Sequence, residues 1–186
     1  KSYLRPGDLL VLNDTRVLPA RLYGRKPSGG AVEILLERLA GDTRAIAQIR
    51  ANKPPRAGSQ IILEGDIPVT VTRREDAFYR IEFPAQPPLP QLLERHGHMP
   101  LPPYIVKQRK RAGLDEVTES DRQRYQTLFA DNPGAIAAPT AGLHFSKDLL
   151  GALYDHGIDT STVTLHVGPG TFQPMHDGAL ADHEMH

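Results

Sequence analysis

The chain of 186 residues carries 22 Lys plus Arg against 22 Asp plus Glu, a formal net charge of zero, with 39% hydrophobic and 24% charged residues. That balance belongs to a folded globular chain with enough length for one ample core or two small ones, and it excludes a disordered polymer. Cysteine is absent, which excludes disulfides and thiolate metal sites and fits a reducing cytoplasm. No apolar run reaches the roughly 20 residues of a spanning helix, and a nucleic-acid partner would need a local basic patch because bulk charge announces none.

In chain order, "DLLVLNDT" (8–15) reads as a buried strand leaving into a turn. Strand-like segments then recur at short spacing up to about residue 84: "ARLYGRK", "AVEILLERL", "TRAIAQIRA", "SQIILEG", "IPVTVTRRE" and "FYRIEFP". Between them, "PSGG", "AGD", "NKPPRAG", "EGD" and "REDA" supply Gly, Pro, Asn and Asp for turns. In "TRAIAQIRA", Ala45, Ala47 and Ile49 alternate with Arg44, Ile46, Gln48 and Arg50, and in "VTVTRR" Val69 and Val71 alternate with Thr70 and Thr72. Six short strands with hairpin-length connections predict a small antiparallel barrel or curled sheet, closed so that few edges stay open.

After residue 84 the texture changes. "PPLPQLLERHGH" predicts a helix with Pro at its start and Gly97 near its end, and "MPLPPYI" an extended path. "KQRKRAGLDE" reads as a polar loop, and "TESDRQRYQTLFA" as a helix with Tyr125, Leu128 and Phe129 on one face. "SKDLLGALYDHG" predicts a helix capped by Ser146 and Gly157, and "IDTSTVTLHVG" a strand. The fold expected is therefore α/β plus β: a barrel of residues 20–84 inserted into an α/β domain built from 1–19 and 85–186. Both ends read as the interior of a longer chain.

Four constellations could carry chemistry. Asn13, Asp14, Thr15 and Arg16, with Arg21 nearby, place donors, acceptors and cations at a strand end, where α/β folds bind ligands; the plain alternative is a strand-end turn with solvated arginines. Thr140 and His144 precede the Ser146-capped helix, whose free N–H groups favour electron-rich ligands, while Ala137, Ala138, Ala141 and Gly142 allow close approach; His144 could equally be structural. His166 stands on a strand that "GPG" turns sharply toward Thr171, Phe172 and Gln173, without the Lys-Ser/Thr of a phosphate loop. His183 and His186 in "DHEMH" miss the HExxH spacing and have no evident third ligand, so no metal site is expected. Basic residues gather at Arg50, Lys53 and Arg56, at Arg73 and Arg74, and across 107–111; on one face they could track RNA, and spacing does not say whether they share one.

The stretches "RPGDLLVLNDTRVLPARLYGRK", "GGAVEILLER", "GHMPLPPYI", "RYQTLFADNPGAIAAPTAGLHF", "VTLHVGPGTFQP" and "DHEMH" together resemble the S-adenosylmethionine:tRNA ribosyltransferase-isomerase family of the queuosine pathway, over essentially the whole chain. "VKQRKRAGLDEVTES" is longer than the family pattern, as a loop insertion would be. The resemblance implies a β-barrel interrupting an α/β domain and chains extending beyond both ends seen here. It also implies transfer and isomerisation of the ribosyl part of S-adenosylmethionine onto 7-aminomethyl-7-deazaguanine at the tRNA wobble position, giving epoxyqueuosine and releasing adenine and methionine.

That chemistry needs a base beside the sulfonium-activated ribose and help for departing adenine. It suggests His144 and His166 as acid and base, in either order. Asn13, Asp14, Thr15, Arg16, Arg21, Thr140, Thr171 and Gln173 would then hold substrate. S-adenosylmethionine enters as cosubstrate with no prosthetic group. The expected partner is precursor-bearing tRNA, and the chain is expected to be a cytoplasmic monomer away from membranes. The rival readings are a non-catalytic RNA-binding module and a metal-dependent hydrolase built on the histidines.

Overall fold

A computed structural model describes residues 3–168 and Gly170. Thr171, Gln173, His183 and His186 lie outside the described residues.

Six strands form the closed barrel that alternation predicts: β3 (Arg21–Arg25), β4 (Ala31–Leu39), β5 (Arg44–Ala51), β6 (Gln60–Leu63), β7 (Ile67–Glu75) and β8 (Phe78–Glu82), in spatial order β3-β4-β5-β8-β7-β6. Every neighbouring pair is antiparallel. Leu22, Ile34, Leu36, Ala47, Ile61, Leu63, Val71 and Ile81 are buried inside, one from every second position, so strand period and burial coincide. The closing seam joins β3 to β6 at Gly24↔Leu63. A Cβ on Gly24 would stand 2.5 Å from the Ile62 carbonyl oxygen, so a side chain there would push the seam apart.

Helix α1 (Leu89–His96) buries Leu89, Leu92 and Leu93 in the same core as the barrel. Its start at Pro88-Leu89-Pro90 and its end at Gly97 match the sequence signals. Helix α2 (Pro103–Arg111) corrects the expected loop: the extended path holds through Pro102, whose ψ is 140°, but Pro103 begins a helix, and the basic run is its body. What holds it is tertiary. Arg109 makes two 2.7 Å bonds to the Asp121 carboxylate, which is 3% exposed and also accepts from the Thr118 N–H at 2.6 Å.

The helix expected over 118–130 shrinks to α3 (Asp121–Arg124). Beyond it, Tyr125 turns into the second core cluster and Leu128 is exposed. The Gln126 amide accepts from the Val17 N–H at 3.0 Å and donates to the Val17 carbonyl at 2.8 Å, replacing a strand partner. That bond is incompatible with continuing the helix outward.

Two parallel strand pairs complete the fold. β1 (Leu9–Asn13) pairs with β10 (Asp159–Val163), and β2 (Thr15–Val17) with β9 (Asn132–Ala135). β1 and β2 are nearly one strand that changes partner at Asp14, whose N–H donates to Val163 while its carbonyl accepts from Asp131 and Asn132. β1 is buried less than its apolar sequence suggests: Leu9 and Val11 are 59% and 57% exposed, and only Leu12 is buried. Between β9 and helix α4 (Lys147–Tyr154) lies a 3-10 helix, Thr140–His144. Ser146 caps α4 by accepting from the Leu149 N–H, as expected. Among the described residues no helix is long and apolar enough to cross a membrane.

Candidate active site

The three residues at the β1–β2 corner grip the segment that follows β10. Asn13 donates to the Leu165 carbonyl at 2.9 Å and accepts from the Leu165 N–H at 3.0 Å. Thr164 donates its hydroxyl to Asp14 at 2.6 Å, and that bond is the main cause holding the Asp14 carboxyl below the usual carboxylate range. Thr15 Oγ1 lies 2.8 Å from His166 Nδ1. Parallel pairing explains the convergence, because β1 and β10 end at the same edge and their following residues meet there. The Thr15 hydroxyl thereby fixes the ring through Nδ1.

His166 also rests on β9. A Cβ on Gly134 would fall 2.5 Å from Cε1 and 2.6 Å from Nε2 of the imidazole. The ring therefore occupies the space that any side chain at 134 would need. The following residue joins in: the Val167 carbonyl accepts from the N–H groups of Ile136 and Ala137.

His166 and its neighbours form one wall of a cleft of about 980 Å³, lined by Pro133, Gly134, Ile136, His166, Val167 and Gly168 from the α/β side, whereas Asn13, Asp14 and Thr15 stand behind that wall and do not line the cleft. The barrel supplies the facing wall, including Glu37, Arg38, Ile46, Asp76 and Phe78. These barrel residues are absent from the sequence-based site. One signal was available: the alternation of β4 breaks at "LLER", where the register against β5 slips between Leu36 and Arg38. A bulge there re-aims Glu37 and Arg38 toward the cleft.

The other expected site residues lie elsewhere. Thr140 and His144 are exposed on the 3-10 helix and do not line the cleft. Ala137 and Ala138, expected to admit a ligand, are buried, and Ala138 packs in the cluster of Val17, Met99, Leu101 and Tyr125. Gly142 makes room for Thr127 and Phe129 rather than for a substrate. Arg16 is exposed on β2. Arg21 is 7% exposed, sits 3.3 Å from the Glu33 carboxylate, and lines a separate groove. Among the described residues no three His, Asp or Glu side chains gather as a metal site would require.

The sequence profile of the family described as "Queuosine biosynthesis protein" matches residues 1–186. A Nitrosospira multiformis protein named S-adenosylmethionine:tRNA ribosyltransferase-isomerase is 51% identical over 185 residues, covering 100% of this chain and 50% of that protein. The Stenotrophomonas maltophilia protein of the same name is 54% identical over 185 residues, covering 100% of this chain and 52% of that one. A solved S-adenosylmethionine tRNA ribosyltransferase from Thermotoga maritima is 28% identical, covers 89% of this chain and 43% of its own, and superposes with a TM-score of 0.37. The chain thus spans about half the length of the curated relatives it matches. By its sequence, over its whole length, this chain belongs to the queuosine biosynthesis protein family.

Proposed function

We propose that the chain is part of an S-adenosylmethionine:tRNA ribosyltransferase-isomerase. Its action would move the ribosyl moiety of S-adenosylmethionine to the aminomethyl nitrogen of 7-aminomethyl-7-deazaguanine in tRNA and rearrange it to epoxyqueuosine, releasing adenine and methionine. The names of the half-identical relatives support this reading. The observation that carries it into the structure is His166, held at Nδ1 by Thr15 and lining the cleft.

The sulfonium of S-adenosylmethionine acidifies the adjoining ribose carbon, so an imidazole beside it removes that proton near neutral pH. Departing adenine takes up a proton as the bond to the ribose breaks. His166 is the base in this reading, and His144, exposed on the 3-10 helix outside the cleft lining, is proposed as the second proton carrier. Asn13, Asp14 and Thr15 serve by fixing the 164–166 segment. Arg16, Arg21, Thr140, Thr171 and Gln173 are the further substrate contacts in this reading. S-adenosylmethionine is consumed as cosubstrate without a prosthetic group, and the working unit is a cytoplasmic monomer. The barrel, residues 20–84, is an insertion between the 1–19 and 85–186 parts of the α/β domain. The flanking pairs β1–β10 and β2–β9, each joining a strand before the barrel to one after it, support that division.

The test is adenine release from S-adenosylmethionine by the full-length protein with precursor-bearing tRNA. His166→Gln is expected to lower kcat by about 10² to 10⁴, the usual worth of a positioned acid or base, with S-adenosylmethionine binding retained. His144→Gln should fall in the same range. Wild-type turnover in either variant removes that histidine, and no adenine from the wild type removes the activity.

A further inference from the structure

We infer that the groove between the barrel wall and α2 is a phosphate-tracking surface for RNA, with Arg50 and Lys107 as its principal cations. The identity of that RNA as tRNA rests on the activity proposed above. The groove encloses about 660 Å³.

On the barrel side, the outward positions of β4 and β5 form the wall, with Glu33 opposite Arg50 and Leu35 opposite Gln48 in register. On the other side, α2 presents Pro103, Val106, Lys107 and Lys110, spaced i, i+3, i+4 and i+7 and so on one helical face. The Arg109–Asp121 bond anchors the helix from the flank of that face, one turn beyond Val106. One basic run is thereby divided: Arg109 is structural, and Lys107 and Lys110 face the barrel.

The charges are not equivalent. Arg21 is buried against Glu33, and Lys110 forms an exposed 3.3 Å pair with Glu116, an ion pair weak enough to exchange for a phosphate. Arg50 and Lys107 are exposed, on opposite walls, with no ion-pair or hydrogen-bond partner among the described residues. Two unpaired cations flanking one concavity reinforce each other's field, where the same charges on a convex surface would be screened apart. Tyr104, on the first turn of α2 and 68% exposed, lies outside the groove's lining but one turn from Lys107, where its ring can meet an unstacked base. The barrel's Arg73 and Arg74 lie outside this groove, Arg73 in an exposed 3.2 Å pair with Glu75 and the Arg74 guanidinium over the Tyr79 ring.

The experiment measures binding of an unmodified tRNA transcript to the full-length protein across a salt series. Arg50→Ala with Lys107→Ala is expected to weaken binding about tenfold at low salt. It should also flatten the log K against log salt slope by about 2, one for each phosphate that is no longer neutralised. The charge-keeping Arg50→Lys with Lys107→Arg should retain the slope, and Arg124→Ala, an exposed cation outside the groove, should leave it unchanged. An unaltered slope in the double alanine variant, or wild-type binding insensitive to salt, overturns the groove. A flattened slope supports it whether or not adenine is released, whereas failure of adenine release in the wild type overturns only the activity.

Discussion

Gly134 and Thr15 hold the imidazole of His166 from two sides, one by leaving space and one by a 2.8 Å approach to Nδ1. Gly134→Ala would place a methyl group within 2.7 Å of three ring atoms, so the ring must swing away. Thr15→Val keeps the shape and removes the hydroxyl. Both variants of the full-length protein should lose about 10- to 100-fold in kcat, the usual cost of removing an orienting partner, with KM for S-adenosylmethionine little changed. Steady-state adenine release checks this, and unchanged kcat in both variants would show that His166 needs no fixed orientation. In the sequence, Asn13, Asp14, Thr15 and His166 are all recognisable as candidates, because polar residues stand out at strand ends. That they touch is not legible there, because more than 150 residues separate the corner from the segment it holds.

At the scale of elements, α2 depends on one buried carboxylate. Asp121→Asn leaves Arg109 facing a neutral amide and should cost about 3 kcal/mol, read from urea unfolding. The Arg109 guanidinium, first, and the Thr118 N–H and hydroxyl hold the Asp121 carboxyl below its ordinary value of 3.8. The stabilisation is therefore fully present above about pH 4 and is lost as pH falls through the depressed value of the folded state. The stability gap between wild type and Asp121→Asn should accordingly be constant near neutrality and narrow only in acid; a gap that instead narrows between pH 6 and 8 would assign the effect to another group. This element also shows where local reading fails. The run of Lys, Arg and Gln has no apolar period and so reads as loop, although these are good helix formers and Pro103 at the first turn is a start signal; the partner that anchors the helix lies twelve residues downstream. The opposite error at 118–130 arises because helical spacing is present and the Gln126–Val17 bonds override it.

For the whole molecule, burial is uneven. The barrel and α1 share one dense core, whereas β1 and β10 form a two-stranded parallel sheet whose apolar Leu9 and Val11 meet solvent. Isolated two-stranded pairs are marginal, and parallel ones are ordinarily covered on both faces. Native-state hydrogen exchange on this chain should therefore find amides of β4, β5, β7 and β8 opening only near the global unfolding energy, and those of β1 and β10 opening several kcal/mol earlier. Equal protection in both sets would contradict the reading of the barrel as the stable nucleus.

The barrel's strands, the capped helices α1 and α4, and the family were present in the linear pattern, since alternation, caps and motifs are properties of neighbours along the chain. The assembly of the cleft was decided only in three dimensions. Parallel pairing of strands from opposite ends of the chain brings His166 to Thr15, and a bulge in β4 turns Glu37 and Arg38 to face the histidine. The same holds for the cations, which composition counts alike: burial and pairing neutralise Arg21 and Arg109, and leave Arg50 and Lys107 without a partner, among the described residues, across one groove. A charge acts on a ligand only to the extent that its own fold has not already satisfied it, and that depends on neighbours no local stretch of sequence contains.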